Sequence, residues 1–151
     1  MSITIENLHA ALAGESQAHI KYRYFAKIAR AEGHEDVAKH FEHTADQELL
    51  HAWGHLELLI GKPDTRKCLE LAIQGETEEF TEMYPQFKNQ AYGEGLSLVS
   101  KEFEDQIEES KEHAEQFKAV LGKAAKRFAA LAKVEERHAN HYQKALDAIK
   151  A

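Results

Sequence analysis

At 151 residues the chain suits one domain with a real core, and 19 Lys and Arg against 26 Asp and Glu leave it at a formal charge of −7. That sign disfavours nucleic acid and anionic membrane surfaces as partners. A single cysteine, Cys68, excludes an intramolecular disulfide and any four-thiolate metal site, which suits a reducing compartment. The start, Met1-Ser2-Ile3-Thr4-Ile5-Glu6, lacks a basic stretch followed by an apolar core, and nowhere do 18 apolar residues run together. A cytoplasmic protein is expected.

Eight Gly, two Pro and abundant Ala, Glu, Lys and Leu predict helix nearly throughout. Breaks at Glu32-Gly33, Gly61-Lys62-Pro63-Asp64, Gly93-Glu94-Gly95 and Gly122 divide the sequence into helices at about 4–31, 34–60, 65–92, 96–121 and 123–150. The expected fold is all-α, a single domain over 1–151 in which hairpins at about 4–60 and 65–121 form a four-helix bundle. The helix at 123–150 is an addition to it.

The first helix carries Ile5, Leu8, Leu12, Glu15, His19, Tyr22, Ala26 and Ala29 at spacings of three and four, so Glu15 sits on an apolar stripe. In the second, Val37, Phe41, Glu48, His51 and His55 share a face. In the third, Leu69, Ala72, Glu76, Glu79, Met83 and Phe87 do, and Pro85 inside that pattern predicts a kink or local widening. The last helix has Phe128, Leu131, Glu135, His138, Tyr142, Ala145 and Ile149. Burying one uncompensated carboxylate costs several kcal/mol, so a set facing one another would oppose folding unless cations balanced it.

Glu48-Leu49-Leu50-His51 and Glu135-Glu136-Arg137-His138 are both Glu-x-x-His, two ligands one turn apart on one helical face. Single glutamates from two helices with Glu-x-x-His from two others is the arrangement of ferritin-like di-iron and di-manganese carboxylate proteins. Glu15 and Glu76 supply the single glutamates, and Glu79 adds a carboxylate one turn on. Such donors suit iron or manganese better than a thiolate-seeking metal, and zinc can substitute.

An internal repeat supports this assignment. Gly14-Glu15, Glu32-Gly33 and His51 recur as Gly75-Glu76, Glu94-Gly95 and His113, at offsets of 61, 62 and 62. Two helical hairpins stand in tandem, with Ser110 where Glu48 should recur. Phe41, Phe103 and Phe128 each precede a histidine by ten residues, and only the first and third of these copies have the glutamate. Two choices follow for the last ligands: His113 with Ser110, or Glu135 and His138, which the apolar run before Glu135 favours. The second choice requires a helix direction that exchange of the C-terminal helix between two subunits would supply.

Gly14-Glu15-Ser16-Gln17-Ala18, Tyr22 with Phe25-Ala26, Glu32-Gly33, Glu48-x-x-His51-Ala52, Gly75-Glu76-Thr77-Glu78-Glu79 and Met83-Tyr84-Pro85 together resemble the rubrerythrin family. The likeness is to its short erythrins without a rubredoxin domain, and it covers about residues 5–121 and the final helix. It implies a ferritin-like fold and a di-iron centre ligated by Glu15, Glu48, His51, Glu76 and Glu79. It also implies Tyr22 and Tyr84 beside the metals, and reduction of hydrogen peroxide to water in defence against oxidative stress. Electrons would then come from an external donor such as a rubredoxin-like protein or a flavoprotein, and a homodimer, helix-swapped or not, is expected. An O2-dependent ferroxidase or iron-handling protein, and a non-catalytic metal-binding helical module, are the other readings. His19 and His55 read as core or supporting imidazoles; His9, His34, His40, His43 and His141 read as surface residues. Cys68 and Trp53 read as packing residues.

Overall fold

The computed structural model describes residues 2–150, which are helical except at caps and turns, with no strand among them. The chain divides after Pro63 into two compact units. The first is a hairpin of α1 (Ile3–Ala31) and α2 (Glu35–Ile60). The second contains α3 (Thr65–Glu78), a π-helical turn (Glu79–Met83), α4 (Tyr84–Gly93) and α5 (Ser97–Lys150).

Helix starts are set by side chains. The Ser2 hydroxyl accepts from the Ile5 N–H at 3.4 Å and the Asp64 carboxylate from the Lys67 N–H at 2.7 Å, each satisfying an otherwise free donor. The ends of α1 and α4 are built alike. Gly33 and Gly95 take φ of 84° and 75°, a region that costs an L side chain energy, and the following residue's N–H returns to Ala29 O and Ala91 O. These turns are equivalent points of the internal repeat.

Within the first unit, Ala38, Ala45 and Ala52 recur every seven residues along α2 and are buried, as are Ala26 and Ala29 on α1. Small side chains let the two backbones approach closely. Tyr22, Phe25 and Phe41 fill the space beside them, with ring centroids 5.6 to 6.3 Å apart. Arg30 clamps the turn, donating to Glu35 and, in a two-pronged contact at 2.9 and 3.0 Å, to Glu42. The second unit repeats the plan with Tyr84, Phe87 and Phe103, and with Lys88 donating to Glu104 at 2.8 Å.

The π turn is the widening expected at Pro85. In a regular helix the proline ring would collide with the carbonyl four residues back, and its nitrogen has no hydrogen to donate. The Tyr84 N–H instead reaches Glu79 O, five residues back, so the turn takes in one extra residue. The repeat records the same residue. Glu15 and Glu76 are 61 apart, whereas Tyr22 and Tyr84, Phe25 and Phe87, and Gly33 and Gly95 are 62 apart.

Two expectations change. Residues 123–150 do not form a separate helix, because α5 runs unbroken through Gly122. A lone glycine among helix formers costs only about 1 kcal/mol against alanine and does not by itself end a helix. Trp53 and Cys68 are exposed rather than packed. Trp53 follows buried Ala52 by one residue, which turns it away from the α1 contact.

Replacing Ala38, which has no exposed surface, with leucine is expected to overpack the α1–α2 contact and destabilise the protein by about 1–3 kcal/mol in chemical denaturation. A cost within experimental error would show that this close approach is not a constraint.

Candidate metal centre

Glu15 on α1 meets Glu48 and His51 on α2, with one potential ligand atom from each lying within 4.8 Å of the others. The Glu-x-x-His spacing works as expected: His51 Nδ1 is 3.1 Å from Glu48 Oε2. The Glu48 side chain is 18% exposed and that of His51 60%. Glu15 is held above the usual carboxylate range, first by a hydrogen bond with Glu48, then by burial and the negative charge of Glu48. His51 and His55 pull it the other way. A bound cation would relieve this like-charge crowding.

Half-buried His19 lies behind this group, its Nδ1 donating to Ala45 O at 2.7 Å, which fixes the ring against α2. His55 is also half-buried, whereas His9, His34, His40, His43 and His141 are exposed.

The second unit brings related residues together in two pairs, and among the described residues only the first unit gathers three potential ligands at close range. Glu76 on α3 has His113 of α5 beside it, Nδ1 to Oε2 3.5 Å, repeating a carboxylate and an imidazole. Ser110 occupies the place of Glu48 and is 3% exposed; its hydroxyl donates to Glu79 Oε2 at 3.0 Å. Glu79 opens the π turn and matches no carboxylate of the first repeat, since the residues 61 and 62 positions before it are Ala18 and Gln17. The second carboxylate of this unit thus comes from the first residue of the π turn, while α5 contributes the serine that holds it. Each unit displays two carboxylates and one imidazole.

Tyr84 lies in the field of Glu79 and Glu76. Burial, followed by those two negative charges, raises its pKa, so the phenol keeps its proton at neutral pH. Tyr22 holds the equivalent place in the first unit, half-buried against Phe25 and Phe41.

Glu135 and His138 are not brought to the Glu76–Glu79 group, where His113 stands. They face each other at 3.9 Å on the C-terminal part of α5, with side chains 75% and 58% exposed. The preference for them rested on the apolar run before Glu135, and Ala129, Ala130, Leu131 and Ala132 are themselves exposed. The sequence signal for the Ser110–Glu79 bond was the step from 61 to 62, which marks an inserted residue beside Glu79.

Helical hairpins with paired carboxylates and imidazoles on their inner stripes define an all-α carboxylate metalloprotein, and the donor set fits hard divalent cations. A family model described as Rubrerythrin matches residues 6–121. The rubrerythrin of Porphyromonas gingivalis is 36% identical over 80% of this chain and 66% of its own. Nigerythrin of Nitratidesulfovibrio vulgaris is 37% identical over 78% and 65%, and a putative rubrerythrin of Methanocaldococcus jannaschii 35% over 80% and 70%. A solved structure of nigerythrin in its fully reduced, all-ferrous state aligns with 83% of this chain and 69% of its own, at 34% identity and a TM-score of 0.42. The chain belongs to the rubrerythrin family, ferritin-like di-iron proteins associated with oxidative-stress defence. It spans about two thirds of the length of the curated relatives it matches. No helix among the described residues is long and apolar enough to cross a membrane.

Mn(II), or Fe(II) under anaerobic conditions, is expected to raise the thermal midpoint of the metal-free protein. The gain corresponds to about 2.7 kcal/mol at a hundredfold excess over Kd. Glu48→Gln, which keeps the shape and removes the charge, should lose most of that gain. Equal gains in the two proteins would remove Glu48 from the ligand set.

Proposed function

We propose that this chain is a di-iron oxidoreductase that reduces hydrogen peroxide to water with electrons from an external donor. The observation that carries this reading is the Glu15–Glu48–His51 group, one potential ligand atom from each lying within 4.8 Å of the others. Membership of a di-iron family supports iron as the cation, with manganese and zinc as substitutes. The proposed ligands are Glu15, Glu48 and His51 from one hairpin with Glu76, Glu79 and His113 from the other. Within the chain it is His113, not Glu135 or His138, that stands beside Glu76, so the last pair is left out of the proposed set.

Bound ferrous ions would supply Lewis acidity and one electron each, the two electrons needed for H2O2 + 2 H+ + 2 e− → 2 H2O. The remaining work falls to side chains. Glu48 and Glu79, one from each hairpin, hold the same office from different helices: a carboxylate one turn from an imidazole or steadied by a neighbouring hydroxyl. The Ser110 hydroxyl occupies Glu79 Oε2 and leaves the other oxygen free to ligate. Tyr84, kept protonated by burial and by Glu79 and Glu76, can donate a hydrogen bond to a ligand carboxylate or to peroxide. Tyr22 is proposed for the same task beside the first group.

The 151 residues carry one cysteine, so they cannot build a four-cysteine iron site, and re-reduction is assigned to a rubredoxin-like protein or a flavoprotein. A homodimer acting in the cytoplasm, with the two hairpins forming one ferritin-like domain, completes the proposal.

The reconstituted protein should hold two irons per chain. His113→Ala should lower that count, and Glu135→Ala and His138→Ala should leave it unchanged. Rapid anaerobic mixing of the diferrous protein with peroxide, and separately with O2, should show faster oxidation by peroxide in the absorbance trace. Faster oxidation by O2 would point to a ferroxidase, and reconstitution with zinc alone to a structural metal module; either would overturn peroxide reduction.

A further inference from the structure

Charge changes sign along α5. Residues 102–115 hold seven carboxylates and one lysine, whereas residues 116–134 hold five cations and no carboxylate. With the chain at −7 overall and that stretch at +5, the rest of the sequence stands at −12. The cations are also sorted by face. Lys126, Lys133, Arg137 and Lys144 are spaced by seven, four and seven, which stacks them on one side of the helix over about 27 Å, with Lys123 at the edge of that side. Phe128, Leu131 and Tyr142 lie on the opposite side. All five cations are exposed, and among the described residues none has a carboxylate within 4.0 Å. Other lysines are engaged by neighbours: Lys88 and Lys101 by Glu104, and Lys118 by Glu115. Arg137 donates only to the Lys133 carbonyl, at 3.3 Å. Like charges at such spacings repel one another weakly, a cost that an anionic partner would offset.

Nucleic acid, anionic lipid and acidic protein all present such anions. The block at 102–115 decides among them. An extended polyanion laid along α5, or a membrane facing it, meets carboxylates beginning about 12 Å from Lys123, whereas a compact protein rests on the stripe alone. The stripe also has no aromatic side chain among its cations on which unpaired bases would stack. We propose that Lys126, Lys133, Arg137 and Lys144, with Lys123 at their edge, form the docking surface for an acidic electron-carrier protein that reduces this chain. This rests on the peroxide-reductase reading above, which requires an external reductant. Lys123 lies about 15 Å along α5 from His113, so a carrier seated at that end is brought toward a proposed ligand by a single helix. Two encounters with a one-electron carrier, each carrier oxidised once, return the two electrons that one peroxide removes.

A reduced rubredoxin of net negative charge is the probe, and its zinc-substituted, redox-inert form reports binding alone. Lys126→Glu with Lys133→Glu should slow second-order electron transfer from this probe to the oxidised iron-loaded protein about tenfold at low salt, and weaken binding of the zinc form by a similar factor. Lys21→Glu with Lys27→Glu, at exposed positions of α1, makes the same change in net charge and should alter either quantity less than about twofold. Lys126→Arg with Lys133→Arg should preserve both, and the rate with the unaltered protein should fall steeply as salt rises. Anaerobic oxidation of each prereduced variant by hydrogen peroxide should match that of the unaltered protein, with helix retained by circular dichroism. Equal effects of the two Glu pairs, or a rate indifferent to salt, would overturn the proposal. So would stripe-dependent binding of duplex DNA or phosphatidylserine vesicles in place of the rubredoxin. If peroxide fails to oxidise the diferrous protein while zinc rubredoxin still binds the stripe, the peroxide-reductase reading falls and the docking surface is supported.

Discussion

Everything at the centre of this molecule follows from carboxylates placed where leucines would be expected. Glu15 and Glu48 stand on the stripes by which α1 and α2 face each other, with ligand atoms within 4.8 Å of one another, and the neighbouring Glu48 raises the pKa of Glu15. A divalent cation bound between them would remove the like-charge conflict. The surroundings suit such binding. Buried alanines bring the helices together, His19 is tied to a backbone carbonyl, and the aromatic cluster of Tyr22, Phe25 and Phe41 fills the adjoining space.

The second hairpin shows how a duplicated plan diverges without losing its stoichiometry. One residue inserted into α3 is absorbed by a π turn ahead of Pro85, and Glu79 opens that turn. On the facing helix the glutamate has become Ser110, whose hydroxyl now holds Glu79. The two changes compensate in charge: a carboxylate is gained on one helix and lost from the other. They do not compensate in geometry. Glu79 belongs to a locally widened turn and Glu48 to a regular one.

Much of this was legible in the sequence, because periodicity and glycine punctuation are local signals. The ranges of α1 and α2, the turns at Gly33 and Gly95, the widening at Pro85 and the grouping of Glu15, Glu48 and His51 all come from residues within a few turns of one another or related by the repeat. Tertiary choices were less legible. Ser110 looked like a lost ligand because a serine carries no sign of the carboxylate it holds. The step from 61 to 62 held that information, but only the π turn shows where the extra residue goes.

The case of Glu135 and His138 shows why a Glu-x-x-His pattern does not identify its own purpose. Spacing of three places carboxylate and imidazole on one helical face, and that face can point at a metal or at another helix. What separates the two uses is the company the pair keeps. Glu48 and His51 have Glu15 across the hairpin, whereas Glu135 and His138 lie beyond the stretch of α5 that α3 accompanies. Reading Gly122 as a break hid this, since it made residues 123–150 a fifth bundle helix in need of a bundle position. As the continuation of α5 the segment needs no such position.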